Sequence, residues 1–181
     1  ALQAALDAAA VRKGSVSLPA GEYATGMLKI APYSGLVGDA TWGYRSGAGS
    51  RLRLNDAGAS CLLDITGAIG ATVHGLSLHG GDLGTGVHGI FLGPNPQRKE
   101  EDTPRIERCH ISHFSGNGIH LGPVWCFSVR SCEVIFNKGH GLWVRGWDGF
   151  VLDNWFSGNG GAGYAATEEN RRRDAAKEVK L

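Results

Sequence analysis

The chain has 181 residues, 42% of them hydrophobic and 19% charged, with a formal charge of +1. That length suits one ordinary domain with a real core; near-neutrality leaves no electrostatic footprint for nucleic acid or an anionic membrane surface, and the apolar runs are too broken to span a bilayer. Glycine, at 29 residues, is about twice its average usage of roughly 7% and follows no collagen period, which assigns it to turns.

Residues 1–11 are alanine-rich, with Leu2, Leu6 and Val11 on or near one face, and predict an amphipathic helix. No initiator methionine precedes it, so the chain reads as a fragment. Gly14 to Tyr23 then reads as a strand, a turn and the start of a second strand, and Leu28-Lys29-Ile30 and Leu36-Val37-Gly38 continue in the same style. A glycine-rich loop with Trp42 and Tyr44 runs from Gly38 to Ser50.

Beyond it a repeat governs the chain. Gly118-Ile119-His120-Leu121 returns 23 residues later as Gly141-Leu142-Trp143-Val144, and 22 residues after that as Gly163-Tyr164-Ala165-Ala166. Gly89-Ile90-Phe91-Leu92 precedes the first by 29 residues, the excess belonging to a polar insertion at 94–104. A second strand keeps phase: Val73-x-x-Leu76-x-Leu78, Ile106-x-x-Cys109-x-Ile111, Val129-x-x-Cys132-x-Val134 and Val151-x-x-Asn154-x-Phe156. Alternation turns every second side chain inward, and units this short bury a core only by stacking as coils about 4.8 Å apart. The predicted architecture is all-β: a right-handed single-stranded parallel β-helix over residues 1–166, with the N-terminal helix capping its open edge. Recurring glycines, as in Ser115-Gly116-Asn117-Gly118 and Ser157-Gly158-Asn159-Gly160, are expected where bends need positive φ or close backbone approach. Residues 167–181 lose the phase and read as a polar tail, helical or non-native.

The helix Leu2–Ala9, the run Val16-Ser17-Leu18-Pro19-Ala20-Gly21-Glu22-Tyr23 and then Leu36-Val37-Gly38 resemble the opening of the pectate lyase-like superfamily, most closely its rhamnogalacturonase- and epimerase-type branch, which includes many phage tailspikes. The resemblance spans residues 1–166. It implies a carbohydrate-active protein with a polysaccharide partner, extracellular or periplasmic, and members with several more coils than this chain has. It does not fix an activity, because the fold carries lyases, hydrolases, epimerases and passive binders.

Several residues could carry chemistry. Phe91, His120 and Trp143 fall at one outward position on successive units; as a strip they offer sugars an apolar platform, or they simply pack across coils, and Trp147 and Trp155 extend the supply. Arg145 and Asp148 lie on a turn after Trp143, where Arg145 suits a carboxylate clamp or a base, and Asp148 and Asp153 suit calcium ligands; an Arg–Asp pair equally serves to hold a turn. Asp82 suits an acid/base group, a metal ligand or a turn former. No other metal or cofactor is indicated. Gly139-His140-Gly141 matches a polygalacturonase tripeptide, but His140 shares its phase with Asn117 and His88, so the repeat alone accounts for it. Glu107 and Arg130 are equivalent outward positions expected to form a surface ion pair. Cys109 and Cys132 stand where Asn154 stands in the next unit, a ladder of small residues that demands no disulfide.

The leading expectation is a lyase-like protein acting on acidic polysaccharide, with hydrolase or epimerase close behind and Arg145, Asp148, His120 and Asp82 as candidate catalytic groups. Phe91, Trp143 and Trp147 are the candidate substrate-binding residues. The rival is a non-catalytic glycan-binding or structural module of tailspike or adhesin type.

Overall fold

Each strand pairs with the strand three positions further along the chain, and always in parallel. The computed structural model describes residues 1–39, 49–95 and 102–166. In them three six-stranded sheets form the faces of a parallel β-helix. The first sheet holds Ser15–Leu18, Gly35–Gly38, Thr72–His74, Arg105–Glu107, Ser128–Arg130 and Phe150–Leu152; the second holds Gly21–Thr25, Ser50–Leu54, Ser77–His79, His110–Ser112, Glu133–Ile135 and Trp155–Ser157. The third holds Leu28–Lys29, Cys61–Asp64, His88–Leu92, Ile119–Trp125, Leu142–Trp147 and Tyr164–Ala166. The 167–181 tail, positions 96–101 of the insertion and positions 40–48 of the glycine-rich loop lie outside the described residues.

The register follows the sequence repeat residue for residue. Val73, Ile106, Val129 and Val151 stack in the first sheet, and Leu78, Ile111, Val134 and Phe156 in the second. Leu63, Ile90, Ile119 and Leu142 form a third inward row. All but Val151 and Phe156, in the last coil, are fully buried. These columns supply the main folding drive, at about 25 cal/mol per Å² of apolar surface removed from water.

The N-terminal helix spans Leu2–Ala10. Leu6 is buried beneath it and Leu2 packs on the core, whereas Val11 falls past the helix end and is 85% exposed. Gln3 treats the first coil as a partner strand would: its side-chain carbonyl accepts the Lys29 N–H at 2.8 Å while its amide donates to the Lys29 carbonyl at 3.0 Å. Edge groups that would otherwise stay open are thereby satisfied.

The glycines at the corners serve the two ends expected of them, positive φ at Gly158 and close backbone approach at Gly116, Gly118 and Gly160, but non-glycine residues share the bending. The repeat glycines 89, 118, 141 and 163 are not left-handed; they permit close approach. A Cβ on Gly89 would lie 2.4 Å from the Gly118 carbonyl oxygen, and one on Gly141 2.7 Å from that of Gly163. As well as on Gly75 and Gly158, left-handed backbone falls on non-glycine residues: Arg108, Ser131 and Asp153 after the first sheet, His113 and Phe136 after the second, Cys126 and Asp148 after the third. Each costs about 1–2 kcal/mol relative to an unstrained residue. The ladder offsets this, because the N–H groups of Arg108, Cys126, Ser131 and Phe136 all bond carbonyls of the next coil. The two Ser-Gly-Asn-Gly strings are not equivalent. Asn159 stacks inside the column with Asn137, while Asn117 stands three residues further round, in the row of His88 and His140.

The cysteine ladder is as expected. Asn154 accepts the Cys132 N–H at 2.9 Å and donates to the Val129 carbonyl at 2.9 Å; Cys132 in the coil before it makes weak S–H contacts to the carbonyls of Ile106, 3.6 Å, and Arg130, 3.3 Å. All four cysteines are free thiols. Cys132→Asn should extend the amide ladder by one rung and raise stability by about 1 kcal/mol. A thermal melt checks this, and a lower midpoint would mean that the corner has no room for the amide.

Candidate functional site

The outward row of the third sheet is Lys29, Asp64, Phe91, His120, Trp143 and Ala165, one residue per coil. Its aromatic members stack along the helix axis. His120 lies 4.2 Å from Trp143 at an interplanar angle of 21°, and 5.0 Å from Phe91 at 30°. His88 adds a ring 4.8 Å from His120 and 5.5 Å from Phe91. Near-parallel rings separated along the axis cover one another's faces and turn their edges outward. The strip is therefore a wall of ring edges, and the register neighbour of Trp143 in the last described coil is Ala165, whose side chain is a single methyl group. Glycines let the rings lie low, since a Cβ on Gly122 would come within 2.7 Å of the Trp143 ring and one on Gly93 within 2.8 Å of Phe91.

The same face continues along the strands. Beyond Trp143 the alternation of Leu142–Trp147 turns Arg145 and Trp147 outward, and Trp147 registers with Trp125. Asp148 follows in a left-handed corner, where its carboxylate accepts the Trp125 Nε1–H at 2.7 Å. Arg145 is exposed beside Trp143; a Cβ on Gly122 would touch both.

The four candidate catalytic residues do not converge. Asp82 sits before the strand His88–Leu92, at the opposite edge of the third sheet from Asp148, in a left-handed turn and ion-paired with Lys138 at 3.6 Å. His120 is enclosed by rings, its Nδ1 3.1 Å from the Asn117 side-chain nitrogen. Asp148 and Asp153 flank the two ends of Phe150–Leu152 and cannot share an ion. Among the described residues no group of three or more His, Cys, Asp or Glu side chains is disposed to hold a metal. Nor does Glu107 pair as expected: Arg130 is its register partner, but the contact formed is with His74, at 3.8 Å. A cleft of about 250 Å³ beside Trp147 and Asp148 is walled by Val144 and Ala166, which places it at the end of the core column and not along the strip.

Sequence reasoning missed the outward rows of the second sheet. Glu22, Arg51, Ser77, His110, Glu133 and Trp155 share one row. Within it Ser77 lies 3.5 Å from His110 Nδ1, and His110 Nε2 lies 3.8 Å from Glu133. Arg51 and Arg53 both reach Glu22 at the first coils. The signal was present: His110 and Glu133 are the unassigned positions inside Cys109-x-Ile111 and Cys132-x-Val134.

Three histidines of these two faces are held well below the ordinary imidazole range. Burial lowers His79, His110 and His120 to about 4, with the charges of Arg51 and His113 adding at His79 and His110, and His88 adding at His120. Folding thus favours the unprotonated rings. Their contribution is complete above the unfolded value near 6.5 and is lost as pH falls through about 4. Burial likewise pushes the Cys61 thiol up to about 12, which leaves it unreactive.

No family model and no curated protein sequence matches the chain. Among solved structures, the A-module of the mannuronan C-5 epimerase AlgE6 of Azotobacter vinelandii aligns with 90% of this chain at a TM-score of 0.58 and 22% identity. A chain described as a glycosyl hydrolase, from Parabacteroides merdae, aligns with 91% of this chain and 88% of its own length at a TM-score of 0.36 and 8% identity, too loosely to carry an argument. The chain spans 52% of the length of the epimerase module, and what that likeness establishes is the fold: a parallel β-helix.

Proposed function

We propose that this chain is a carbohydrate-recognising β-helix that binds an acidic polysaccharide on the outer face of its third sheet. The observation that carries this reading is the single register that aligns Phe91, His120 and Trp143, with the exposed Arg145 two residues beyond Trp143 beside its indole. A pyranose stacked on that indole face would have its apolar C–H side covered, and a guanidinium next to it suits a uronate carboxylate. Mannuronan, named for the similar epimerase module, is one polymer of that class. Such a ligand places the protein outside the cytoplasm.

Binding is favoured over lyase, hydrolase or epimerase chemistry by the dispersal of the titratable groups around the third sheet. Proton abstraction and return need an acid and a base within hydrogen-bond reach of one reacting carbon. Here Asp82 and Asp148 hold opposite corners, and the His120 ring is stacked on both sides.

The test is titration of the protein with polymannuronate, pectate and glucuronan, with neutral dextran as control, read by tryptophan fluorescence. Ultraviolet absorbance of unsaturated products is followed in parallel, with and without calcium. Saturable binding of a uronate polymer without product, weakened about tenfold or more by Trp143→Ala and by Arg145→Ala, is expected. Product formation would establish the catalytic alternative, and no binding to any acidic polymer would overturn the proposal.

A further inference from the structure

Where the second sheet turns into the third, one side chain per coil reaches up and holds the main chain of the next coil. His88 Nδ1 accepts the Asn117 N–H at 2.9 Å, Asn117 Oδ1 accepts the His140 N–H at 2.8 Å, and His140 Nδ1 accepts the Ala162 N–H at 2.9 Å. The three rungs do one job with two chemistries. An imidazole nitrogen accepts a hydrogen bond only while unprotonated, so His88 and His140 must be the Nε2–H tautomers. Protonation would set N–H against N–H and break the rung. The asparagine oxygen of the rung between them gains no proton, although the same amide's Nδ2 lies 3.1 Å from Nδ1 of His120, a ring that burial lowers to about 4.

We infer that this corner is an acid-sensitive seam: protonation of His88 and His140 releases the Asn117 and Ala162 backbone while the Asn117 rung stays closed. The rungs stand just before the strands that carry His120, Trp143 and Ala165, so opening them would loosen the face to which the proposed glycan binds. That consequence, though not the seam itself, rests on the function proposed above.

The surroundings of the two rings are specific. His88 faces Cys61, its register partner on the strand below, and Phe91 and His120 on the third sheet. His120 is thus the one other ring in that stack that can gain a proton. Asp64, further along the Cys61 strand, is engaged by the Thr66 N–H at 2.8 Å. His140 lies against Gly161 in the coil above and Asn117 in the coil below. The charged pair at this corner, Lys138 and Asp82, is occupied with itself at 3.6 Å. Burial lowers the His88 pKa, so its rung opens below the ordinary histidine range.

Amide hydrogen exchange, corrected for the intrinsic pH dependence, tests the seam in the intact chain. Between about pH 7.5 and about pH 4.5 the Asn117 and Ala162 amides should lose protection about tenfold relative to the His140 amide, which bonds an asparagine oxygen. The double variant His88→Asn, His140→Asn copies the Asn117 rung at both places and should abolish the difference. If the three amides respond alike, or none responds, or the double variant keeps the response, the inference fails. Exchange does not depend on glycan, so a seam that opens in a protein that binds no uronate polymer would leave this result standing and remove only the proposed function.

Discussion

Gly89→Ala should prevent the chain from holding its native fold, at a cost of about 3 kcal/mol or more. The new methyl group would stand 2.4 Å from the Gly118 carbonyl oxygen, 2.8 Å from Ile111 Cγ2 and 3.0 Å from the Phe114 ring. The first of these cannot yield by a rotamer change, because the Gly118 carbonyl accepts the Ile90 N–H at 3.0 Å in the ladder that joins the two coils. Moving it would separate the coils along a whole strand. Gly26→Ala is the matched control: the nearest atom to its Cβ is the Asp56 side chain at 3.7 Å, and its unfolding midpoint should stay close to that of the unaltered chain. Urea denaturation of both variants decides the matter. A Gly89→Ala protein as stable as the control would mean that the coils are not packed at this distance.

The second large effect is expected at Asn137, buried at 1% exposure inside the column. Its carbonyl accepts the Phe114 N–H at 3.1 Å, and its amide donates to the Ile111 carbonyl at 3.3 Å and to Asn159 Oδ1 at 3.0 Å. Asn137→Ala leaves all three of those groups without that partner in a space no side chain fills, for a loss of roughly 3 kcal/mol. Asn137→Asp separates hydrogen bonding from volume. It keeps the shape and the acceptor for Phe114 but sets a carboxylate against the Ile111 carbonyl and Asn159 Oδ1, so it should be destabilised by at least as much, and more at neutral pH than in mild acid. Thermal melts at two pH values read both. An Asn137→Asp midpoint equal to that of the unaltered chain would show that the donor half of the amide is idle.

The fold was legible because one set of residues answers two questions at once. Val73, Ile106 and Val129 recur with the length of a coil, and they alternate with polar neighbours within each strand. Length fixes which residues stack, and alternation fixes which way they point. Cys109, Cys132 and Asn154 were readable as a ladder for the same reason. The orientation of the rings on the third sheet was not: the register places Phe91, His120 and Trp143 one above another, but whether rings lie flat or stand edge outward depends on side-chain torsions and on the room made by Gly93 and Gly122. Asp82 and Asp148 looked like reactive carboxylates because a left-handed backbone and a nearby partner leave no mark in the sequence that a catalytic role would not also leave. The row containing His110 and Glu133 was overlooked for a simpler reason. It lies between the apolar positions that define the repeat, where polar residues are expected and so attract no attention.

The Gln3 contact with Lys29 has a consequence for how molecules of this kind meet one another. A stack of parallel strands is a template at either end, and an uncovered end invites another chain to add itself in register. Here the helix lies over the first strands of the first and third sheets, and a side-chain amide occupies both hydrogen-bonding groups of Lys29. Strand-by-strand growth from this side would first have to displace that amide and lift Leu6 out of the core. The N-terminal helix therefore serves as a guard against fibrous association through the first coil.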